Sequence, residues 1–361
     1  MDKIKKIVLF SANKTGGIVQ LTEQLADTLM DVGIDCLCYF PEGTKVSRAS
    51  LIVKFYSISP YENIYSRNVS AVAERIIEED ASYVWFTDSP LMSLLVLCKV
   101  CKSCKTILTI HDLKTHPTNN SKFLHLAYLN YSNHYRKIAY KMAKNILLLS
   151  PNSLSIFNSF YPEYCSKAIL LHLGAHIPVD EIKKPEDIGD VDSYHLFFGV
   201  IDKYKGINNL LDSYNASNKD MPLVIAGKGT LTTDEKRKID NSSGVYLINR
   251  FISNGEMKWL ISHAKSVVLP YIEASQSGVL PISYYFGVPV IVSDLPGLSQ
   301  YVEHEKTGYI CKNNNEISNA LNLISNSLNI DFKNNTLSYY NNFLEWHSNI
   351  ENMINMLEET N

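Results

Sequence analysis

Leu269-Pro-Tyr-Ile-Glu-Ala-Ser-Gln-Ser-Gly-Val279, continued by Phe286-Gly-Val-Pro-Val-Ile-Val-Ser-Asp294, is the stretch that decides the fold. Just before it, Ser266–Leu269 is a short apolar run closed by a proline, which reads as a buried strand. Ser277-Gly278-Val279 opens a helix that lasts to Phe286, and Val290–Val292 is the next apolar run. Strand, polar loop, helix and strand in that order predict a parallel sheet covered on both faces.

The same alternation extends to both ends of the chain. In the second half, strands are predicted at His195–Val200, Leu223–Ala226 and Val245–Asn249, with helices at Ile207–Ala216 and Asn254–His263. In the first half, strands are predicted at Ile4–Phe10, Cys36–Phe40, Tyr83–Thr87, Thr106–Ile110 and Ile146–Ser150. Helices fall at Ile18–Val32, Ala71–Glu79 and Leu91–Cys101, followed by a long helical stretch through Met142. The expected fold is therefore α/β: two Rossmann-like, doubly wound domains whose strand ends face a central cleft. Residues 178–192 are polar, hold two prolines and lack periodicity, so they read as the linker. The expected domains are 1–178 and 193–338. A last helix within 339–361 carries Phe343, Trp346, Ile350, Met353 and Leu357 on one stripe.

Composition agrees with this division. A chain of 361 residues at roughly 150 per domain makes two domains. A formal charge of -3 and a sequence pI near 6.4 argue against an overall electrostatic grip on nucleic acid. The best apolar run, Leu91–Val100, is about half the length of a membrane span. The N-terminal MDKIKKIVLFSAN reads as a buried first strand rather than a signal peptide. Seven cysteines without a disulfide framework read as reduced thiols of a cytoplasmic protein. Cys98, Cys101 and Cys104 lack a fourth ligand and are read as thiols, not a metal centre.

Ligands of doubly wound sheets bind beyond the carboxyl ends of the strands, so the loops there carry the candidate chemistry. Asn13-Lys-Thr-Gly-Gly17 leads from a strand into a helix whose free N–H groups suit a phosphate. It is neither a dinucleotide fingerprint nor a Walker loop. His111 ends a strand beside Asp112. Phe198-Gly-Val-Ile-Asp-Lys-Tyr-Lys-Gly206 places Lys205 before a helix, where an ammonium can neutralise a phosphate. Ala226-Gly-Lys-Gly229 is another strand with a glycine loop. Glu273 follows a strand, and Ser277-Gly278-Val279 offers a second helix amino end. Two helix amino ends and a lysine converge on a diphosphate.

This set, Gly16-Gly17, Ile110-His111-Asp112, Phe198–Gly206, Ala226–Gly229 and the stretch quoted first, resembles the retaining glycosyltransferases of family 4, which have the GT-B fold. The resemblance spans nearly the whole chain and is strongest from Phe198 to Gly308. It implies transfer of a sugar from a nucleoside diphosphate, a UDP- or GDP-sugar, with retained configuration and with neither metal nor cofactor. It implies that Gly16 and Gly17 face the donor phosphates and that His111 contacts the donor sugar. Lys205 would bind the diphosphate, and Arg250 and Phe251 would lie near the nucleobase. Glu273 would hold sugar hydroxyls, and Ser277, Gly278 and Val279 would present N–H groups to phosphate. His111, Glu273 and Lys205 are thus the expected catalytic group. The last helix would cross back to the first domain.

Three departures from the family pattern stand out. Val200 occupies the place of a usual arginine. The second glutamate usual eight residues after Glu273 is missing, with Pro281, Ile282 and Ser283 in that region. Gln300 replaces a common glutamate. Asp190-Val-Asp192 has the spelling of a metal motif but lies in the linker and reads as solvated. The expected acceptor is a glycan or polyprenyl-linked sugar of surface polysaccharide synthesis. Lys122, Arg136, Lys137, Lys141 and Lys144, interleaved with Phe123, Tyr128, Tyr131, Tyr135 and Tyr140, predict peripheral contact with the inner membrane on its cytoplasmic face. The alternatives are a GT-B nucleotide-sugar epimerase and a non-catalytic glycan-assembly partner.

Overall fold

The computed structural model describes residues 3–48, 50–57, 67–111, 133–175, 177, 180–326 and 331–359. The chain divides into two compact units, Met1–His172 with Trp346–Asn361, and Leu173–Glu345.

The first unit is a seven-stranded parallel sheet. Its strands are β1 (Lys6–Phe10), β2 (Asp35–Pro41), β3 (Ile52–Tyr56), β4 (Tyr83–Phe86), β5 (Lys105–Ile110), β6 (Asn145–Leu148) and β7 (Ala168–Leu170). Their order is β3-β2-β1-β4-β5-β6-β7. Helices α1 (Gly17–Asp31), α2 (Arg67–Ile77), α3 (Leu91–Val100), α4 (described over 133–142) and α5 (Pro151–Phe160) connect them. The central strands are apolar because both faces are covered: Val8, Phe10, Val84, Phe86, Leu108 and Leu148 share one core. The edge strands β3 and β7 were not legible in the sequence. The first is mostly exposed and the second has only three residues, so neither forms a continuous apolar run.

The second unit repeats the plan with six parallel strands, β8 (Tyr194–Phe198), β9 (Leu223–Ala226), β10 (Val245–Ile248), β11 (Ala264–Leu269), β12 (Val290–Ser293) and β13 (Gly308–Cys311). Their order is β10-β9-β8-β11-β12-β13. Its helices are α6 (Ile207–Ala216), α7 (Thr233–Asp240), α8 (Asn254–Ser262), α9 (Val279–Tyr285), α10 (Pro296–Ser299), α11 (Asn314–Ser325) and α12 (Phe332–Tyr339). Both sheets therefore reverse strand order once, between β1 and β4 and between β8 and β11. Such a switch point opens a crevice at the carboxyl ends of the two strands.

Two expectations change. The stretch expected to be a free linker is a strap on the second unit. Lys183 N donates to Gly255 O (3.1 Å), and Asn254 Nδ2 donates to Asp180 Oδ2 (2.9 Å). Gly255 must be glycine there, since a Cβ would lie 2.2 Å from Glu181 O. Arg250 bridges the short turn Glu186–Ile188 to α8 by pairing with Asp187 and Glu256. Glu256 also closes a capping box with Ser253. Arg250, chiefly, holds the Glu256 carboxyl down to about 2. The chain passes between units at His172–Leu173, not at 178–192, because side-chain pairing rather than composition fixes the strap. Asp190 and Asp192 are exposed within it.

The last helix is also broken. A π turn over Tyr340–Leu344 follows α12, Glu345 is extended, and α13 runs over Trp346–Glu359. Trp346, Ile350, Met353 and Leu357 are buried in the first unit, while Phe343 is half exposed in the second. The return to the first unit is fixed by Ile4 N donating to Glu358 Oε1 (2.8 Å) and by His347 Nε2 beside Asp31 Oδ2 (3.0 Å).

Candidate functional site

In the second unit the switch point is framed by the loops after β8 and β11. Ile272 N donates to Tyr204 O (2.8 Å) and ties one loop to the other. Gly206 has φ 70 and ψ 29, and a Cβ on it would sit 1.9 Å from Pro270 O. No side chain fits at that crossing, so glycine is required by both contact and conformation. Immediately before it, the Lys205 ammonium lies 3.7 Å from the ring centroid of Tyr271 and 5.0 Å from that of Tyr204. Burial pushes its pKa down to about 8, with Asp202 opposing the shift. Lys205 thus remains mostly charged at neutral pH.

Tyr271 is buried, and its hydroxyl lies 3.3 Å from Ser277 Oγ. Val279 N reaches Ser277 Oγ at 3.4 Å, and Gly278 caps α9 with no side-chain bond. The structure thus joins Lys205 to Ser277, Gly278 and Val279 through Tyr271, which carries no local signal of a site in the sequence. Pro270-Tyr271 reads as the end of an apolar strand, and nothing local marks the ring as a platform. Glu273 lies exposed on the same loop. That loop is anchored at its far side, where a Cβ on Gly297 would lie 2.4 Å from Ala274 O.

The other glycine loop does a different job. Gly199 N donates to Ala226 O and Ile201 N to Lys228 O, both at 3.1 Å, so the loops after β8 and β9 run side by side. A Cβ on Gly227 would meet Gly199 O at 1.8 Å, and one on Gly229 would meet Ile201 O at 1.9 Å. These glycines make loop-to-loop contact. Val200, which stands where the family pattern has an arginine, is 59% exposed. Arg250 is turned toward Asp187 and Glu256, whereas the Phe251 ring is 75% exposed.

In the first unit the switch point is organised by Asp88, a second residue missed in the sequence. Its carboxylate is 1% exposed and accepts from Ser11 Oγ (2.9 Å), Ala12 N (2.8 Å), Asn13 Nδ2 (2.7 Å) and Ser93 Oγ. It thereby fixes the loop leading to Gly16 and Gly17. A Cβ on either glycine would meet nothing within 4 Å, so only the Gly16 backbone, at φ 90, demands glycine. His111 Nε2 lies 2.8 Å from Thr87 O. A carbonyl only accepts, so Nε2 carries a proton and donates to it. Asp112 lies outside the described residues, as do Lys122, Phe123, Tyr128 and Tyr131.

Residues 178–341 match the family model described as glycosyl transferases group 1. No curated protein matches the chain significantly. Among solved structures, a glycosyltransferase from Rickettsia africae superposes with a TM-score of 0.77 at 14% identity, covering 99% of each chain. HepE of Anabaena in complex with UDP gives 0.74 at 14% identity, covering 98% of this chain and 100% of that one. WaaG, a glycosyltransferase involved in lipopolysaccharide biosynthesis, gives 0.66 at 15% identity, covering 98% and 99%. The two parallel-sheet units have the GT-B fold of these structures. With a glycosyl transferases group 1 domain over 178–341, the chain is a glycosyltransferase.

Proposed function

We propose that this glycosyltransferase moves a sugar from a UDP- or GDP-sugar to a glycan or polyprenyl-linked acceptor, with retained configuration and independently of metal, in surface polysaccharide synthesis. The observation that carries this reading is the Lys205 ammonium at the switch point of the second unit, coupled through Tyr271 to Ser277 and the start of α9. As the glycosidic bond breaks, negative charge grows on the departing nucleoside diphosphate. A fixed cation and aligned N–H groups stabilise that charge more than they stabilise the intact donor, which lowers the barrier. The UDP held by HepE and the lipopolysaccharide role of WaaG support the donor class and the product class.

The remaining roles follow the family resemblance. Glu273 holds sugar hydroxyls, and the exposed Phe251 ring meets the nucleobase. Arg250 holds that segment in place through Asp187 and Glu256. Gly16 and Gly17 contact donor phosphate, and His111 contacts the donor sugar. Calorimetric titration with UDP, GDP and their sugar conjugates tests the reading. Micromolar to millimolar binding of one base series is expected, and heat-silent titrations with every member would end it. Incubating the bound sugar nucleotide without acceptor separates transfer from epimerisation, since only an epimerase would change the sugar.

We further propose that the first unit rests on an anionic membrane face. Among the described residues no helix is long and apolar enough to cross a membrane. Lys102, Lys105, Lys144 and Lys167 line a groove of about 630 Å³ that has no acidic side chain in its wall. Lys137 and Lys141 are exposed on neighbouring α4. Tyr140 is buried against Phe157 and Tyr161, so it packs within the unit and is not a membrane contact. Flotation with vesicles of anionic phospholipid at low salt is the check. Co-flotation that salt abolishes is expected, and protein left at the bottom of the gradient at low salt would refute the contact.

A further inference from the structure

The donor reading leaves open how one flexible lysine is held where a diphosphate needs it. The arginine that would share the charge is replaced by Val200, and that side chain is exposed. Lys205 sits on a stem of four methylenes with about 2 kcal/mol of rotamer entropy to lose. Its ammonium is nevertheless centred 3.7 Å above the Tyr271 ring, well inside cation–π range. Tyr271 is 3% exposed, and the next residue is tied to Tyr204 by its backbone. Its hydroxyl lies 3.3 Å from Ser277 Oγ, on the segment that opens α9.

Resting on that reading, we propose that Tyr271 is a positioning residue for diphosphate binding: its ring seats the Lys205 ammonium while its hydroxyl seats Ser277. One buried side chain thereby sets the spacing between the cation and the start of α9. The ring also removes water from one side of the ammonium. This agrees with the pKa of Lys205 lying near 8, below that of an ordinary lysine. Among the described residues, the charged and titratable groups facing Lys205 are Asp202, on its own loop, and the phenols of Tyr204 and Tyr271. Asp202 favours the ammonium, so the lowering comes from burial against the two rings.

The consequence is a pH signature. A diphosphate binds the protonated amine, so nucleotide affinity holds below the midpoint and falls about tenfold per pH unit above it. The experiment titrates UDP or GDP, whichever the wild type takes, into the full chain across pH 6.5 to 9.5. Four proteins are compared: wild type, Tyr271→Met, Tyr271→Phe and a chain with trifluorinated phenylalanine at 271. The wild type is expected to lose affinity with a midpoint near pH 8. Tyr271→Met removes the ring. It is expected to weaken binding at neutral pH about tenfold and to move the midpoint further down, because the apolar methionine keeps the ammonium from water while the ring's attraction for the charge is lost.

Tyr271→Phe keeps the ring. Its midpoint stays with the wild type, and its affinity falls only about threefold through the loss of the Ser277 contact. The fluorinated ring keeps the shape of phenylalanine but drains charge from its face. It is expected to bind more weakly than Tyr271→Phe, and it gives the answer even if Tyr271→Met fails to fold. Equal affinity and equal midpoint in Tyr271→Met and wild type would overturn the positioning role. So would equal affinity in the phenylalanine and fluorinated chains. A wild type that binds neither nucleotide overturns the donor reading instead.

Discussion

Lys205→Ala is expected to lower sugar transfer by about 10²–10³-fold while the chain stays folded. The loss is large because, among the described residues, no other cation is placed over the Tyr271 ring. Val200 carries no charge where the family has arginine, and Lys228 is exposed on the loop after β9. The fold survives because the Lys205 ammonium rests on rings. Its removal forfeits about 1 kcal/mol of cation–π attraction and leaves no buried charge stranded. Lys205→Arg keeps a cation but spreads it over a planar fork, so partial activity is expected. The measurement is product formation with a donor already shown to bind, beside a thermal melt of each protein. Transfer by Lys205→Ala within a few fold of the wild type would mean that the leaving diphosphate is stabilised elsewhere.

The parts of this molecule legible in the sequence are those where one local rule dominates. Buried parallel strands read as apolar runs, so β1, β4, β8 and β12 stood out. Glycines at strand ends marked both switch-point loops. Lys205 and the Ser277–Val279 segment are candidates legible in the sequence because charge and helix onset are local features. What stayed hidden depends on partners far along the chain. Asp88 looks like any turn acid until Ser11, Ala12 and Asn13, some 75 residues away, converge on it. Tyr271 looks like strand-end packing until Lys205 is placed above it. Arg250 read as a base contact because its place matches the family pattern, while its pairing with Asp187 spans 63 residues. The strap over residues 180–188 lacks periodicity, and such a stretch has the sequence appearance of a linker. Polar pairing holds it instead.

Gly206→Ala is expected to be among the most damaging single changes in the second unit. The conformation alone, φ 70 and ψ 29, costs a residue bearing Cβ about 1–2 kcal/mol. The larger cost is contact. The new Cβ would lie 1.9 Å from Pro270 O and 2.9 Å from its carbonyl carbon, both backbone atoms that no rotamer change can move. Relief requires the loops after β8 and β11 to separate, which also breaks the 2.8 Å bond from Ile272 N to Tyr204 O. The sum is about 3–5 kcal/mol, a large share of the stability of a single domain. Two further variants separate the causes. Gly189, at φ 58 and ψ -137, lies in another region closed to residues with a Cβ but has open space around it, so Gly189→Ala carries a conformational cost of about 1–3 kcal/mol and no clash. Gly206→Asn tolerates the left-handed backbone but keeps the clash. Thermal melting should place Gly189→Ala about 2–4 °C below the wild type, with Gly206→Ala and Gly206→Asn both about 10 °C below it. Nucleotide binding should fall in the two Gly206 variants alone, because separating those loops lifts Lys205 off the Tyr271 ring. If Gly206→Asn melts like Gly189→Ala, the crossing with Pro270 is looser than the structure shows and the glycine serves conformation only.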